Sequence, residues 1–133
     1  MTSKVTYLGE LRTSSIHVLS GNEIISDAPL DNNGKGEAFS PTDTVANALA
    51  SCMFTVMGIK ARDLEVDFSG STAEVTKIMG IEPRRITTIE VNFKFSIHPD
   101  EKTKTILERT ALTCPVWFSL HPDIEKKIQF QWS

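Results

Sequence analysis

Ser40-Pro41-Thr42-Asp43-Thr44-Val45-Ala46-Asn47-Ala48-Leu49-Ala50-Ser51-Cys52-Met53-Phe54-Thr55-Val56-Met57-Gly58-Ile59 is the stretch on which the fold turns. It opens with a capping hydroxyl, a proline at the first helical position and a carboxylate at the third, the strongest helix start in the chain. A helix running to about Arg62 is predicted. Val45, Ala46, Ala48, Leu49, Ala50, Met53, Phe54, Val56, Met57 and Ile59 leave it apolar around most of its circumference. Such a helix must be covered on nearly every side. A chain of 133 residues has difficulty wrapping a rod of about 33 Å by itself. Self-association is therefore expected.

Downstream of the helix the hydrophobic period changes to two. Leu64–Phe68, Thr72–Ile78 and Ile86–Ile97 alternate as strands, with Glu82-Pro83-Arg84-Arg85 turning the chain between the last two into a long antiparallel hairpin. Asp100–Thr113 reads as an amphipathic helix with Ile106, Leu107, Ala111 and Leu112 inward. It ends at Cys114-Pro115, because the proline disfavours helix at the residue before it. A short helical or turn segment through Leu120 and a last strand, Ile128–Trp132, close the chain. Upstream, Val5–Leu8, Ser15–Leu19 and Glu23–Ser26 read as a small meander broken at Gly9 and at Ser20-Gly21-Asn22. The turn residues of Asp27–Phe39, among them Pro29, Asn32-Asn33-Gly34 and Gly36, predict a loop.

The length fits one domain over residues 1–133, and 40% hydrophobic residues supply a core. A net charge of -3 without a basic stripe gives no footing to nucleic acid or an anionic membrane surface. The N-terminal residues lack the apolar core of a signal peptide, and no run reaches the roughly 18 consecutive apolar residues of a spanning helix. A soluble cytoplasmic protein is expected. Between the two cysteines lie 61 residues, so the Cys-x-x-Cys spacing of zinc and thioredoxin-like sites is absent, and His17, His98 and His121 show no ligand spacing. Neither a metal nor a cofactor is expected.

Cys52 inside the apolar helix and Cys114 before a proline-led turn admit two readings. They are small buried hydrophobes, as free cysteines commonly are, or nucleophile and resolver. The second requires a nearby cation to favour the thiolate, and mid-helix Cys52 cannot draw on a helix terminus. Arg12, Arg62, Arg84, Arg85 and Arg109 are the available guanidinium groups. Asp43 is placed to cap the helix, about half a turn around it from Cys52, and Thr42 stands nearer the cysteine's side. Trp117, Phe118 and Trp132 read as core or interface aromatics.

Taken together, Gly34-x-Gly36, Phe39-Ser40-Pro41-Thr42-Asp43, Ala48-Leu49-Ala50-Ser51-Cys52, Pro83-Arg84-Arg85-Ile86 and Cys114-Pro115-Val116 with Ser119-Leu120 resemble the OsmC/Ohr family of osmotically inducible and organic-hydroperoxide-resistance proteins. The resemblance covers nearly the whole chain in order. It implies an α+β fold with antiparallel curved sheets around a long central helix, in an intertwined homodimer. It also implies a thiol peroxidase in which Cys52 attacks an organic hydroperoxide or hydrogen peroxide and Cys114 resolves the sulfenic acid, with a lipoyl or thioredoxin-like dithiol as reductant. Arg12 matches the arginine that serves the thiolate in that family. The glutamate that follows the helix-starting proline there is Thr42 in this chain, with the acid, Asp43, one residue on. This departure brings the chain nearer the OsmC-like branch. It keeps open a non-peroxidatic alternative, the binding or transformation of another thiol-reactive metabolite at the dimer interface.

Overall fold

At Ser40 the backbone closes a reciprocal capping box. The Asp43 N–H donates to Ser40 Oγ at 3.0 Å, and the Ser40 N–H donates to Asp43 Oδ2 at 3.0 Å. From this box helix α1 (Pro41–Asp63) runs for 23 residues in the computed structural model, which describes Met1–Ser133. Its buried residues, Ala46, Leu49, Ala50, Met53, Met57 and Ala61, form one stripe at helical spacing. A second apolar stripe, Val45, Ala48, Cys52, Val56 and Ile59, stays half-buried or exposed, Ile59 at 60%. By length and composition α1 is apolar enough to cross a membrane. Its first stripe nevertheless forms the centre of the hydrophobic core.

The chain forms two compact units, Met1–Val45 and Ala46–Ser133. The first is an antiparallel meander of β1 (Ser3–Gly9), β2 (Arg12–His17) and β3 (Glu23–Asp27) in the order β1-β2-β3. β2 begins at Arg12, ahead of the expected Ser15, because the turn before it is only Glu10-Leu11. Both of these residues hold positive φ, 51° and 63°, the backbone of a two-residue hairpin turn that matches strand twist. The loop after β3 contains one short 3-10 turn, Leu30–Asn32. The loop folds back so closely that a Cβ on Gly34 would lie 1.7 Å from the Ala28 carbonyl oxygen, so only glycine fits there.

The second unit pairs β4 (Thr72–Gly80) antiparallel with β5 (Arg85–Lys94), the expected hairpin. Between β5 and the last strand, β6 (Glu125–Gln131), lie α2 (Glu101–Ala111) and the short α3 (Pro115–Ser119). This crossover brings β6 in parallel to β5, the exception to the expected antiparallel pairing. The register aligns apolar rows across the sheet: Ala73, Phe93 and Phe130 in one, Val75, Val91 and Ile128 in the next. α1 and α2 contribute to the same core through Leu49, Met53, Met57, Leu107 and Ala111. At its edge Phe54 meets Phe93 edge-on at 4.8 Å, and Phe95 stacks on Trp132 at 3.9 Å.

Leu64–Phe68 is not the strand that its alternation predicts. Leu64, Val66 and Phe68 do turn onto the core while Glu65 and Asp67 face out. The backbone, however, is spent on ending α1. The Val66 N–H donates to Ala61 O at 3.0 Å and the Glu65 N–H to Arg62 O at 3.2 Å, with Glu65 at φ 56°. This is a Schellman closure, and it leaves the segment no ladder partner.

Candidate functional site

Cys114 is the N-cap of α3. Its backbone is extended at φ -68° and ψ 143°, as a residue before proline prefers, and its Sγ accepts the Trp117 N–H at 3.3 Å. The side chain is fully buried, and both cysteines carry free thiols. Burial pushes the Cys114 thiol upward from its ordinary value. The Trp117 N–H pulls against that shift, and the adjoining Cys52 thiol adds to it. Fold and sequence spacing thus bring Cys52 and Cys114 together: one on α1, half-buried, the other at the α2–α3 corner. At neutral pH the pair holds a protonated buried thiol beside a more accessible one. That arrangement suits resolver and nucleophile respectively.

The helix start engages the other two predicted supporting residues. Asp43 is spent in the capping box, and Thr42 Oγ1 lies 3.2 Å from Ser40 Oγ. Arg12 belongs to the first unit. Its guanidinium grips Asp27 with a fork, Nε to Oδ1 at 2.7 Å and Nη2 to Oδ2 at 2.9 Å. Nη2 also donates to Glu37 Oε2 at 3.0 Å. Asp27 is only 1% exposed, and its Oδ2 accepts the Glu37 N–H at 3.1 Å. Hydrogen bonds from Arg12, ahead of burial and charge, hold the Asp27 carboxyl below the usual carboxylate range, and its acid partners push Arg12 further up.

Asp27 and Glu37 are the residues that reading the sequence missed. The signal for the first is a cross-strand pair of opposite charge, Arg12 opposite Asp27, which follows only once the turn over residues 18–21 has set Ile16 against Glu23. Glu37 carried none, because a loop has no period from which to project it.

A cavity of about 810 Å³ lies against the last turns of α1, lined by Phe54, Thr55, Gly58, Ile59, Arg62 and Phe68 among others. Neither cysteine lines it. The thiol pair and the cavity are separate features of the second unit.

Residues 34–129 match the family model described as OsmC-like protein. A Psychrobacter arcticus protein, named for osmotic stress induction and a detoxification response, is 59% identical over 98% of this chain and 96% of its own, with a TM-score of 0.96. An organic hydroperoxide resistance protein OsmC from Legionella pneumophila shares the fold at 13% identity and TM-score 0.72, covering 98% of this chain and 97% of its own. One from Elizabethkingia anophelis, an organic hydroperoxide resistance protein with thiocyanate bound, shares it at 14% identity and TM-score 0.76, with 100% and 97% covered. No curated protein matches the sequence.

Proposed function

The chain belongs to the OsmC-like family, and from that premise we propose that it is a thiol-dependent peroxidase of oxidative stress defence, reducing organic hydroperoxides or hydrogen peroxide. The observation that carries this reading is the adjoining pair of free thiols, with Cys114 held protonated by burial. The Cys52 thiolate attacks the distal oxygen of ROOH and takes it as a sulfenic acid, while the leaving alkoxide picks up a proton and departs as ROH. The Cys114 sulfur then attacks the sulfenic sulfur. A disulfide forms, and the hydroxyl leaves with the Cys114 proton as water. A dithiol of lipoyl or thioredoxin-like type returns both cysteines to thiols by exchange. Arg12 is the cation assigned to the thiolate and the peroxide oxygen.

The protein works as a homodimer in the cytoplasm, where a dithiol reductant is at hand. The second stripe of α1 supports the dimer, since within one chain Val45 and Ile59 stay exposed and Ala48 and Val56 only half-buried. Thr42, which carries no charge beside Ser40, favours a second reading. On it, the thiols serve another thiol-reactive metabolite and no peroxide is turned over.

Free-thiol titration after mixing the purified protein with cumene hydroperoxide separates the two. The peroxidase loses both thiols. Cys52→Ser keeps its remaining thiol through a large excess of oxidant, and Cys114→Ser accumulates a dimedone-reactive sulfenic acid. Survival of both wild-type thiols overturns the peroxidase reading in favour of the second.

A further inference from the structure

The cavity against the last turns of α1 takes no part in the reaction above, and its lining is chemically divided. Phe54 and Phe68 form an aromatic wall, ring centroids 5.9 Å apart and 25° from parallel, and Phe54 is set edge-on against buried Phe93 at 4.8 Å. The wall is thus anchored in the core and preformed. Gly58 supplies the floor. Inside a helix glycine is less favourable than alanine, yet a Cβ there would meet only the Phe68 Cζ at 3.9 Å, an ordinary contact. Packing within the chain does not call for this glycine, and its missing side chain leaves the α1 backbone open to the cavity. Two charges of opposite sign line the same space, Arg62 from α1 and Asp67 from the segment after it, both exposed. Asp67 Oδ1 accepts the Ser69 hydroxyl at 2.5 Å and the Ser69 N–H at 2.9 Å, bonds that hold the carboxyl below the usual carboxylate range, and Oδ2 is left over. The Arg62 guanidinium makes no ion pair or hydrogen bond within the chain, with Asp67 or any other group.

We propose that this cavity binds a small aromatic zwitterion, an amino acid of the phenylalanine type, with its carboxylate on Arg62, its ammonium on Asp67 and its ring against Phe54 and Phe68. Each contact uses a group that the fold leaves without other employment. A guanidinium takes a carboxylate through two parallel N–H bonds, Asp67 Oδ2 is open to an ammonium, and a ring gains by offset or edge-on packing on aromatic neighbours. Charge selects the zwitterion. One cation and one anion line the cavity, so a lone acid also meets Asp67 and a lone amine also meets Arg62, whereas a zwitterion can set opposite charge against each. The volume of about 810 Å³ lies in the range of small-molecule sites. Because neither cysteine lines the cavity, the proposal is independent of the peroxidase reading.

The test is an amide NMR titration of the full chain with L-phenylalanine, beside 3-phenylpropanoate, which lacks the ammonium, phenethylamine, which lacks the carboxylate, and L-alanine, which lacks the ring. L-Phenylalanine should move the amides of Gly58, Ser69 and Gly70 with a Kd of about 1 mM, the scale for a ligand of its size. Each truncated probe should bind roughly 5-fold more weakly or worse. Arg62→Gln, at an exposed position, should weaken L-phenylalanine by roughly 5-fold without weakening phenethylamine, since the guanidinium serves only the carboxylate. Gly58→Leu should abolish the shifts by filling the floor. Should that variant fail to fold, Arg62→Gln decides. No shift of the cavity amides at about 20 mM L-phenylalanine, well above that Kd, overturns the proposal. So does equal binding of L-phenylalanine and its two truncated aromatic probes, which would leave an apolar cleft without charge recognition. An equal loss for L-phenylalanine and phenethylamine in Arg62→Gln also overturns it. If the cavity amides stay still while Gly58→Leu turns a dimer into a monomer, a second copy of the chain covers the cavity and the proposal falls.

Discussion

In the first unit the two buried side chains are Asp27 and Ser40, both polar, while Val5, Tyr7, Leu8, Ile24 and Phe39 are each more than half exposed. In the second, Phe93, Leu49, Met53, Met57, Ile89 and Leu107 are fully buried, and the buried cysteine lies among them. One region is organised around a carboxylate that collects a guanidinium and a backbone amide. The other is organised by apolar area removed from water. The difference bears on function as well as stability. Ion pairs with fixed geometry aim the Arg12 guanidinium, and apolar burial pushes the Cys114 thiol up from its ordinary value.

The sharpest way to break the comparison is to attack the apolar centre. Phe93 has no exposed surface and touches the rings of Phe54, Phe95 and Phe130. Phe93→Ala should cost about 3–5 kcal/mol, read as the loss of unfolding free energy in a urea titration. No single apolar truncation in the first unit should approach that. A comparable loss for Ile24→Ala, at 61% exposure, would show that the first unit owns a core of its own and would erase the distinction.

The same difference explains what could be read in the sequence. The α1 start was legible at Ser40-Pro41-Thr42-Asp43 because capping is local, and the β4–β5 hairpin because its alternation is long. Leu64–Phe68 misled because burial alternates wherever an extended segment lies on a core, and only a partner strand makes it a strand. That β6 runs parallel to β5 depends on the path through α2 and α3, which leaves no trace in the residues Glu125–Gln131. The site divided in the same manner. Cys52 and Cys114 announced themselves by residue type. The acids on Arg12 did not, since Glu37 reaches it from a loop and only strand register would have pointed to Asp27.

A smaller effect separates the units by pH. Asp27 has a folded pKa below its unfolded value of about 3.9, so its stabilisation is present above that value and is lost as pH falls through the lower, folded one. Cys114 is the opposite case. Its folded pKa is raised above the unfolded value of about 8.5, so its contribution is complete below that and is lost as pH rises through the folded one. Hydrogen exchange resolved by segment should therefore show β2, β3 and the 28–39 loop losing protection first in acid. In alkali the loss should come first around α3 and the middle of α1. Simultaneous loss of protection in both units at either limit would show that the charged cluster and the apolar core are one cooperative unit in this respect.

The smallest effect has a reversed sign, and it appears once in each unit. Leu11 in the β1–β2 turn and Glu65 at the end of α1 both hold left-handed backbone, at φ 63° and 56°. A side chain in that region costs about 1–2 kcal/mol, against roughly 0.5–1 kcal/mol of extra chain entropy that glycine loses on folding. Leu11→Gly and Glu65→Gly should each therefore stabilise by about 0.5–1 kcal/mol. The two gains should be felt differently. Glu65 closes the Schellman bonds that end the core helix, so its release from strain stabilises a helix whose other residues fill the core, and the global unfolding midpoint should rise by about 3 °C. Leu11 sits in a hairpin of a unit that buries no apolar side chain. Leu11→Gly should slow amide exchange in β1 and β2 and leave the global midpoint nearly where it was. An equal rise in midpoint from both would mean that the charged meander limits the stability of the whole chain as strongly as the Phe93 core does.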